Sequence, residues 1–126
     1  MEDVLQVVCL CAAWCGVCRD YATPFDEAGA TFGAEAEFTR LDIEDEAELL
    51  GSVDVENFPT LLIARGDRVL FFGTITPHVQ TLTRLVQGGL AGELRPLEGK
   101  RDIDALVQRL NRRFSDRSVP RVRQPI

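Results

Sequence analysis

Four cysteines crowd into the first 18 residues, at positions 9, 11, 15 and 18. The spacing of the last two, Cys15-Gly16-Val17-Cys18, has a chemical use. The stretch VLQVVCL before them is a short valine-rich apolar run, and the stretch after them carries apolar residues at helical spacing. The pair therefore falls at a junction of strand and helix. A thiol at a helix N-terminus faces unpaired N–H groups and the positive end of the helix dipole, and both favour its anion. Cys15 is expected to ionise more readily than a free thiol and to attack a disulfide. Cys18, one helical turn on and less exposed, is placed to attack the resulting mixed disulfide and release the reduced product. Gly16 leaves room for a partner to approach.

Cys9 and Cys11 are two apart on the same strand, so they face the same side. Three uses are open to them. They can serve as small buried hydrophobes. They can form a second redox pair, with Cys15 or Cys18 as the nearer partners, because thiols at i and i+2 do not easily reach disulfide geometry with each other. They can join Cys15 and Cys18 around a zinc or iron–sulfur centre, but the string C-x-C-x3-C-x2-C lacks the two separated knuckles of usual zinc modules, and no metal is expected. His78, the single histidine, sits at an expected helix start on the surface, away from Cys15. Glu44, Asp45, Glu46 and Glu48 fall in the first turn of a helix, where acids suit the dipole, and they lack the glycine-spaced loop of a calcium site.

The elements that must hold these residues can be read from periodicity. Val4 to Leu10 reads as a buried strand. Tyr21, Phe25, Ala28 and Phe32 mark a helix that Gly33 ends, and Pro24 inside it is expected to kink it. EFTRLDIE alternates as a second strand, and EDEAELLGSVDV gives a short helix closed by Gly51. PTLLIAR and RVLFFG, joined by a tight turn, form a hairpin. Pro77 opens a third helix with Thr76 as N-cap, and Val79, Leu82, Leu85 and Val86 form its apolar face. QGGLAGELRPLEGK reads as a linker. DIDALVQRLNRRF is an amphipathic helix with Ile103, Leu106, Val107, Leu110 and Phe114 on one side, and a polar, basic, proline-containing tail follows. The order β-α-β-α-β-β-α plus an added helix predicts an α/β fold, a mixed four-stranded sheet flanked by helices. The expected division is a domain over 1–90, a linker and additional helix over 91–114, and a flexible basic tail over 115–126.

A chain of 126 residues suits one domain with a core that stands without disulfides or metal. Apolar residues make up 45% and charged residues 27%, as in ordinary globular proteins, and no apolar run approaches the about 20 residues that span a membrane. Acids follow Met1 where a secretory signal would carry Lys or Arg. The expected location is a reducing cytoplasm, where four cysteines speak for catalysis or metal rather than structural disulfides. The net charge of −6 is uneven: five basic and fifteen acidic side chains give −10 over residues 1–92, and nine basic and five acidic give +4 over 93–126. So acidic a body is a poor partner for nucleic acid.

AAWCGVCR resembles the A-x-W-C-G-P-C-K active site of the thioredoxin family, and FPTLLIARGDRVLFFG resembles that family's I-P-T-L-L-x-F-x-x-G region. The resemblance covers roughly residues 4 to 88. It implies a thioredoxin-like fold with an extra C-terminal helix. It also implies a thiol–disulfide oxidoreductase acting on protein disulfides, with no bound cofactor and with electrons from a thioredoxin reductase or a small thiol. Carried over by position, Cys15 is the nucleophile and Cys18 the resolving thiol, with Gly16 and Val17 between them and Trp14 as an apolar lip for substrate. Pro59 would be the cis-proline facing the cysteines. Phe58 and Thr60 flank it, with backbone groups around Phe58 able to pair with an extended substrate strand. Gly73 would keep the groove open beside that proline.

The chain departs from the family pattern at several points. The family's first strand and helix are missing, which leaves one sheet edge less covered. The added helix is expected to pack there, and a second copy could pair through the same edge. The family's buried aspartate, six residues before the nucleophile, corresponds to Cys9, and the lysine that accompanies it to Arg40. A thiol is no ready base at neutral pH, so slower turnover or a proton relayed by water is expected. The proline between the two cysteines is Val17, which implies a milder reductant. Cys11 stands where the family has a tryptophan. These departures keep a rival reading open: a thioredoxin-fold interaction or chaperone-like module that holds a partner with its groove and basic C-terminal helix, with weak exchange activity.

Overall fold

The computed structural model describes residues 4–12, 15–51, 53, 55, 59–66, 68–75, 78–97 and 101–115. The elements are β1 (Leu5–Cys11), α1 (Gly16–Phe32), β2 (Ala36–Asp42), α2 (Ala47–Leu50), β3 (Thr60–Arg65), β4 (Arg68–Thr74), α3 (Val79–Leu90) and α4 (Arg101–Ser115). The strands form one mixed sheet in the order β2-β1-β3-β4. β1 pairs in parallel with β2, and β3 pairs antiparallel with both β1 and β4. This is the α/β architecture that the periodicity predicts.

The two central strands, β1 and β3, explain their own composition. Each is buried along nearly its whole length, so both faces must be apolar and the run shows no polar alternation. Alternate residues feed two separate cores. Leu5, Val7, Cys9 and Cys11 of β1, with Phe38 of β2 and Leu61 and Ile63 of β3, meet Cys18, Tyr21 and Phe25 of α1 and Leu82 and Val86 of α3. The Phe25 and Phe38 rings lie 5.0 Å apart in a tilted arrangement that fastens α1 to β2. On the opposite face, Val8, Leu10, Leu41, Leu62, Ala64 and Val69 meet Leu50 and Val53 together with Ile103, Leu106, Val107 and Leu110.

That second core corrects one expectation. α4 does not run along a sheet edge; it lies across the face, against α2 and β4. A helix with a four-residue apolar stripe buries more against a flat apolar face than against a strand edge, which offers mainly backbone. β2 and β4 remain the edge strands. A second correction concerns the start of the linker: residues 87–90 are the last turn of α3. Gly88 and Gly89 read as turn residues in the sequence, but they belong to a helix that needs a smooth surface. A Cβ on Gly89 would come 3.1 Å from the Leu5 side chain. Glycine there lets α3 approach β1 closely.

The short helix expected from Glu44 onward starts later, as the single turn α2, and Gly51 closes it as expected. Its approach is shaped by Asp42, whose Oδ1 accepts the N–H groups of Glu44 at 2.8 Å and Asp45 at 3.2 Å. This side-chain cap favours a turn over a continued helix. Thr76 and Pro77, expected to start α3, lie outside the described residues, and His78 is the residue preceding the first turn. Residues 116–126 of the expected tail also lie outside the described residues.

Candidate active site

β1 ends at Cys11, and the chain turns back through a hydrogen bond from the Cys15 N–H to the Ala12 carbonyl at 3.0 Å. Cys15 is then the N-cap of α1, in extended conformation and without a side-chain capping bond. The first helical hydrogen bond runs from the Arg19 N–H to the Cys15 carbonyl. The thiol therefore sits where the first helix N–H groups have no backbone acceptor. Cys15 is partly exposed, Gly16 and Val17 are exposed, with Val17 at 44%, and Cys18 is 1% exposed. The expected division into an outer and an inner thiol is what the fold produces.

The electrostatics follow from this placement. The Cys15 thiol lies below its ordinary pKa, chiefly because the Cys18 main-chain N–H points at the sulfur. Partial burial opposes the shift, while the Cys18 thiol, the Val17 N–H and the positive charge of Arg19 add to it. Cys18 is pushed up by burial and by its hydrogen bond with the Cys11 thiol. An easily ionised outer thiol beside a protonated inner one is the pairing that sequential thiol–disulfide exchange requires. Arg19 was not singled out in the sequence. The signal for it is its position one turn after Cys15, close enough to bear on the thiolate.

Cys9 and Cys11 point from β1 toward α1, on the same side as Cys18. Their sulfurs are 3.2 Å apart, as free thiols. Cys11 is pushed well up, first by its hydrogen bond with Cys9 and then by burial. The Tyr21 hydroxyl is buried in the same core, has no hydrogen-bond partner among the described residues, and is pushed up by burial and by the nearby thiols. Arg40, level with Cys9 on the neighbouring strand, turns to Asp26 of α1, which it grips through two hydrogen bonds of 3.2 and 3.0 Å. Asp26 was missed in the sequence, because the contact joins residues from two different elements.

At the other side of the site, Leu10 pairs with Thr60 in the β1–β3 register, so Pro59 falls level with Cys11 at the same end of the sheet. Pro59 and Thr60 are buried, and the Pro59 carbonyl accepts the Ile75 N–H at 3.3 Å. Gly73 of β4 pairs with Leu61 of β3. Among the described residues, a Cβ there would meet the Phe71 ring at an ordinary 3.6 Å. Trp14 and Phe58 lie outside the described residues. His78 is exposed at the head of α3. Among the described residues no group of three or more His, Cys, Asp or Glu is arranged to hold a metal ion, and no helix is long and apolar enough to cross a membrane.

Comparison with known proteins gives these observations a frame. A family model described as Thioredoxin matches residues 1–88. Curated thioredoxins from Staphylococcus aureus are 29% identical over 63 residues, which is 50% of this chain and 61% of theirs. The chain thus spans about three-fifths of the length of those relatives. Among solved structures, thioredoxin from Trypanosoma brucei brucei superposes with a TM-score of 0.62 at 26% identity, covering 71% of this chain and 78% of that one. The germline-specific thioredoxin Deadhead of Drosophila superposes with a TM-score of 0.61 at 24% identity, over 68% of this chain and 80% of that one.

Proposed function

The chain belongs to the thioredoxin family, and on that premise we propose that it is a thiol–disulfide oxidoreductase that reduces or exchanges protein disulfides through Cys15 and Cys18. One observation supports this above the others: Cys15 caps the N-terminus of α1, partly exposed, with Cys18 buried one turn behind it. In the proposed cycle the Cys15 thiolate attacks one sulfur of a substrate disulfide. A mixed disulfide forms, and the other substrate sulfur leaves as a thiolate. Cys18 loses its proton and attacks the Cys15 sulfur, which closes the Cys15–Cys18 disulfide and releases the second substrate thiolate. Two electrons pass to the substrate, and a reductase or small thiol restores the dithiol. Trp14, Gly16, Val17, Phe58, Pro59, Thr60 and Gly73 are the residues proposed to shape the substrate groove, with Pro59 as its cis-proline. A reducing cytoplasm is the proposed setting.

A second reading is favoured by one observation, the thiol of Cys9 in place of a buried acid. Without a ready base for Cys18, resolution slows and the mixed disulfide lives longer, as suits a module that holds its partner. Reduction of insulin by the full chain, compared with Cys15→Ser and Cys18→Ser, separates the two. Turnover lost in both variants, with a mixed disulfide trapped on Cys18→Ser, supports the reductase. Wild-type turnover no faster than that of Cys15→Ser would remove it.

A further inference from the structure

The exchange reaction needs two thiols, and this chain lines up four. Cys18 follows Cys15 in the first turn of α1 and is buried in one cluster with Cys11 and Cys9, with Cys15 packed against its outer side. Cys11 in turn lies 3.2 Å from Cys9. Cys11 is 0% exposed and packed between β1 and α1, so no external disulfide reaches it, and the sulfurs within its reach are those of Cys18 and Cys9. Cys9 and Cys11 share an extended strand, which spaces their main chains by about 6.6 Å, near the upper limit for a disulfide. Cys18 comes from a different element and is not bound by that spacing.

We propose that Cys11 is a third catalytic thiol: in the oxidised chain it attacks the Cys18 sulfur, moves the disulfide inward to Cys11–Cys18, and returns Cys15 to the surface as a free thiolate. The proposal rests on the reading of Cys15 and Cys18 as the exchanging pair. The Cys15–Cys18 bond breaks as the Cys11–Cys18 bond forms. The electron pair leaves on the Cys15 sulfur, which takes up the Cys11 proton and, being partly exposed, gives it up to water. The step is an isomerisation and uses no oxidant. Its direction follows from leaving-group quality: of the thiols in line, Cys15 is the one stabilised as an anion and Cys11 is held up by Cys9 and burial. Exchange expels the better anion and keeps the more basic sulfur in the bond.

The consequence is a change of behaviour without a change of fold. With Cys18 engaged inward, Cys15 still attacks a substrate disulfide, but nothing resolves the product. The chain with a dithiol turns substrate over, and the chain with an inner disulfide captures it covalently.

The test uses the full chain, reduced and then oxidised with one equivalent of diamide. After an acid quench, free thiols are labelled in denaturant with N-ethylmaleimide, and the remaining disulfide is reduced and labelled with iodoacetamide. All four cysteines lie in the tryptic peptide 1–19, whose fragment ions report each position. The expected result is a population with maleimide on Cys9 and Cys15 and acetamide on Cys11 and Cys18, and its loss in Cys11→Ser. Oxidised Cys15→Ser should likewise close Cys11 to Cys18 within one chain. Acetamide confined to Cys15 and Cys18 overturns the third thiol and leaves the exchanging pair standing, and acetamide on Cys9 and Cys11 also overturns it. Absence of any Cys15–Cys18 or Cys11–Cys18 bond sinks the exchanging pair as well.

Discussion

Arg109 of α4 donates from Nη2 to the Leu50 carbonyl at 2.8 Å, and from Nε to the neighbouring Leu49 carbonyl. The C-terminal helix thereby satisfies the end of α2, whose carbonyls have no helical partner. The guanidinium also lies against Gly51, which has φ of 59° and would place a Cβ 2.8 Å from Nη2. Gly51→Ala therefore meets two obstacles, the left-handed backbone and the arginine. It should destabilise the fold by roughly 1–2 kcal/mol from the backbone alone, and Arg109→Met by about 1–3 kcal/mol through lost charged hydrogen bonds. Because the two side chains share one space, a double-mutant cycle in urea should show non-additivity. Strict additivity would mean that the contact carries no energy.

The same helix should be indispensable to the fold. Leu110 is fully buried in the second core, so Leu110→Ala should cost about 2–5 kcal/mol. A chain ending at residue 100 leaves Val8, Leu10, Leu62 and Val69 without their cover. It should lose cooperative thermal unfolding, and retention of the full-length midpoint would show that α4 is an accessory.

Stability should depend on pH in opposite senses for the outer and inner thiols. Cys15 ionises more readily folded than unfolded. Its contribution is present above its unfolded pKa of about 8.5 and is lost as pH falls through its lower folded value. Cys18, Cys11 and Tyr21 are raised. Their contribution is full below their unfolded values, about 8.5 for thiols and about 10 for tyrosine, and is lost as pH rises beyond them. Under reducing conditions the melting temperature should fall above about pH 8.5, and Cys11→Ala should flatten that fall. An unchanged alkaline slope in the variant would remove Cys11 from the account.

An acid restored at position 9 should help Cys18 lose its proton. Cys9 faces the same core as Cys18, with Arg40 level with it on β2. Cys9→Asp is expected to raise insulin-reduction turnover and to shift its pH profile to lower pH, which Cys9→Asn should not do. Equal turnover in the two variants would show that resolution does not wait on a base.

Val17 is exposed between the two cysteines, and its N–H helps to hold the Cys15 thiolate. Proline there removes that N–H but fixes the turn. Val17→Pro is expected to lower the reduction potential measured against glutathione. A potential that stays or rises would show that the lost N–H outweighs the stiffened turn.

The signals legible in sequence were local ones. Alternation and helical spacing are properties of a few consecutive residues, so the strands, α1 with its Gly33 end and the strand–helix placement of Cys15 could be read directly. The glycines of α3 misled the reading for a related reason. Their local meaning is a turn, and their use here is a close approach to Leu5, 84 residues away for Gly89.

The amino-acid order alone determined that α4 would bury one side, that β1 would be buried, and that Cys15 and Cys18 would stand as an outer and an inner thiol. Tertiary structure decided what each buried side meets. An apolar stripe specifies that water must be excluded but not by which surface, so the face under α4, the grip of Arg40 on Asp26 and the gathering of the β1 and α1 thiols in one core arise only when separate elements are packed together.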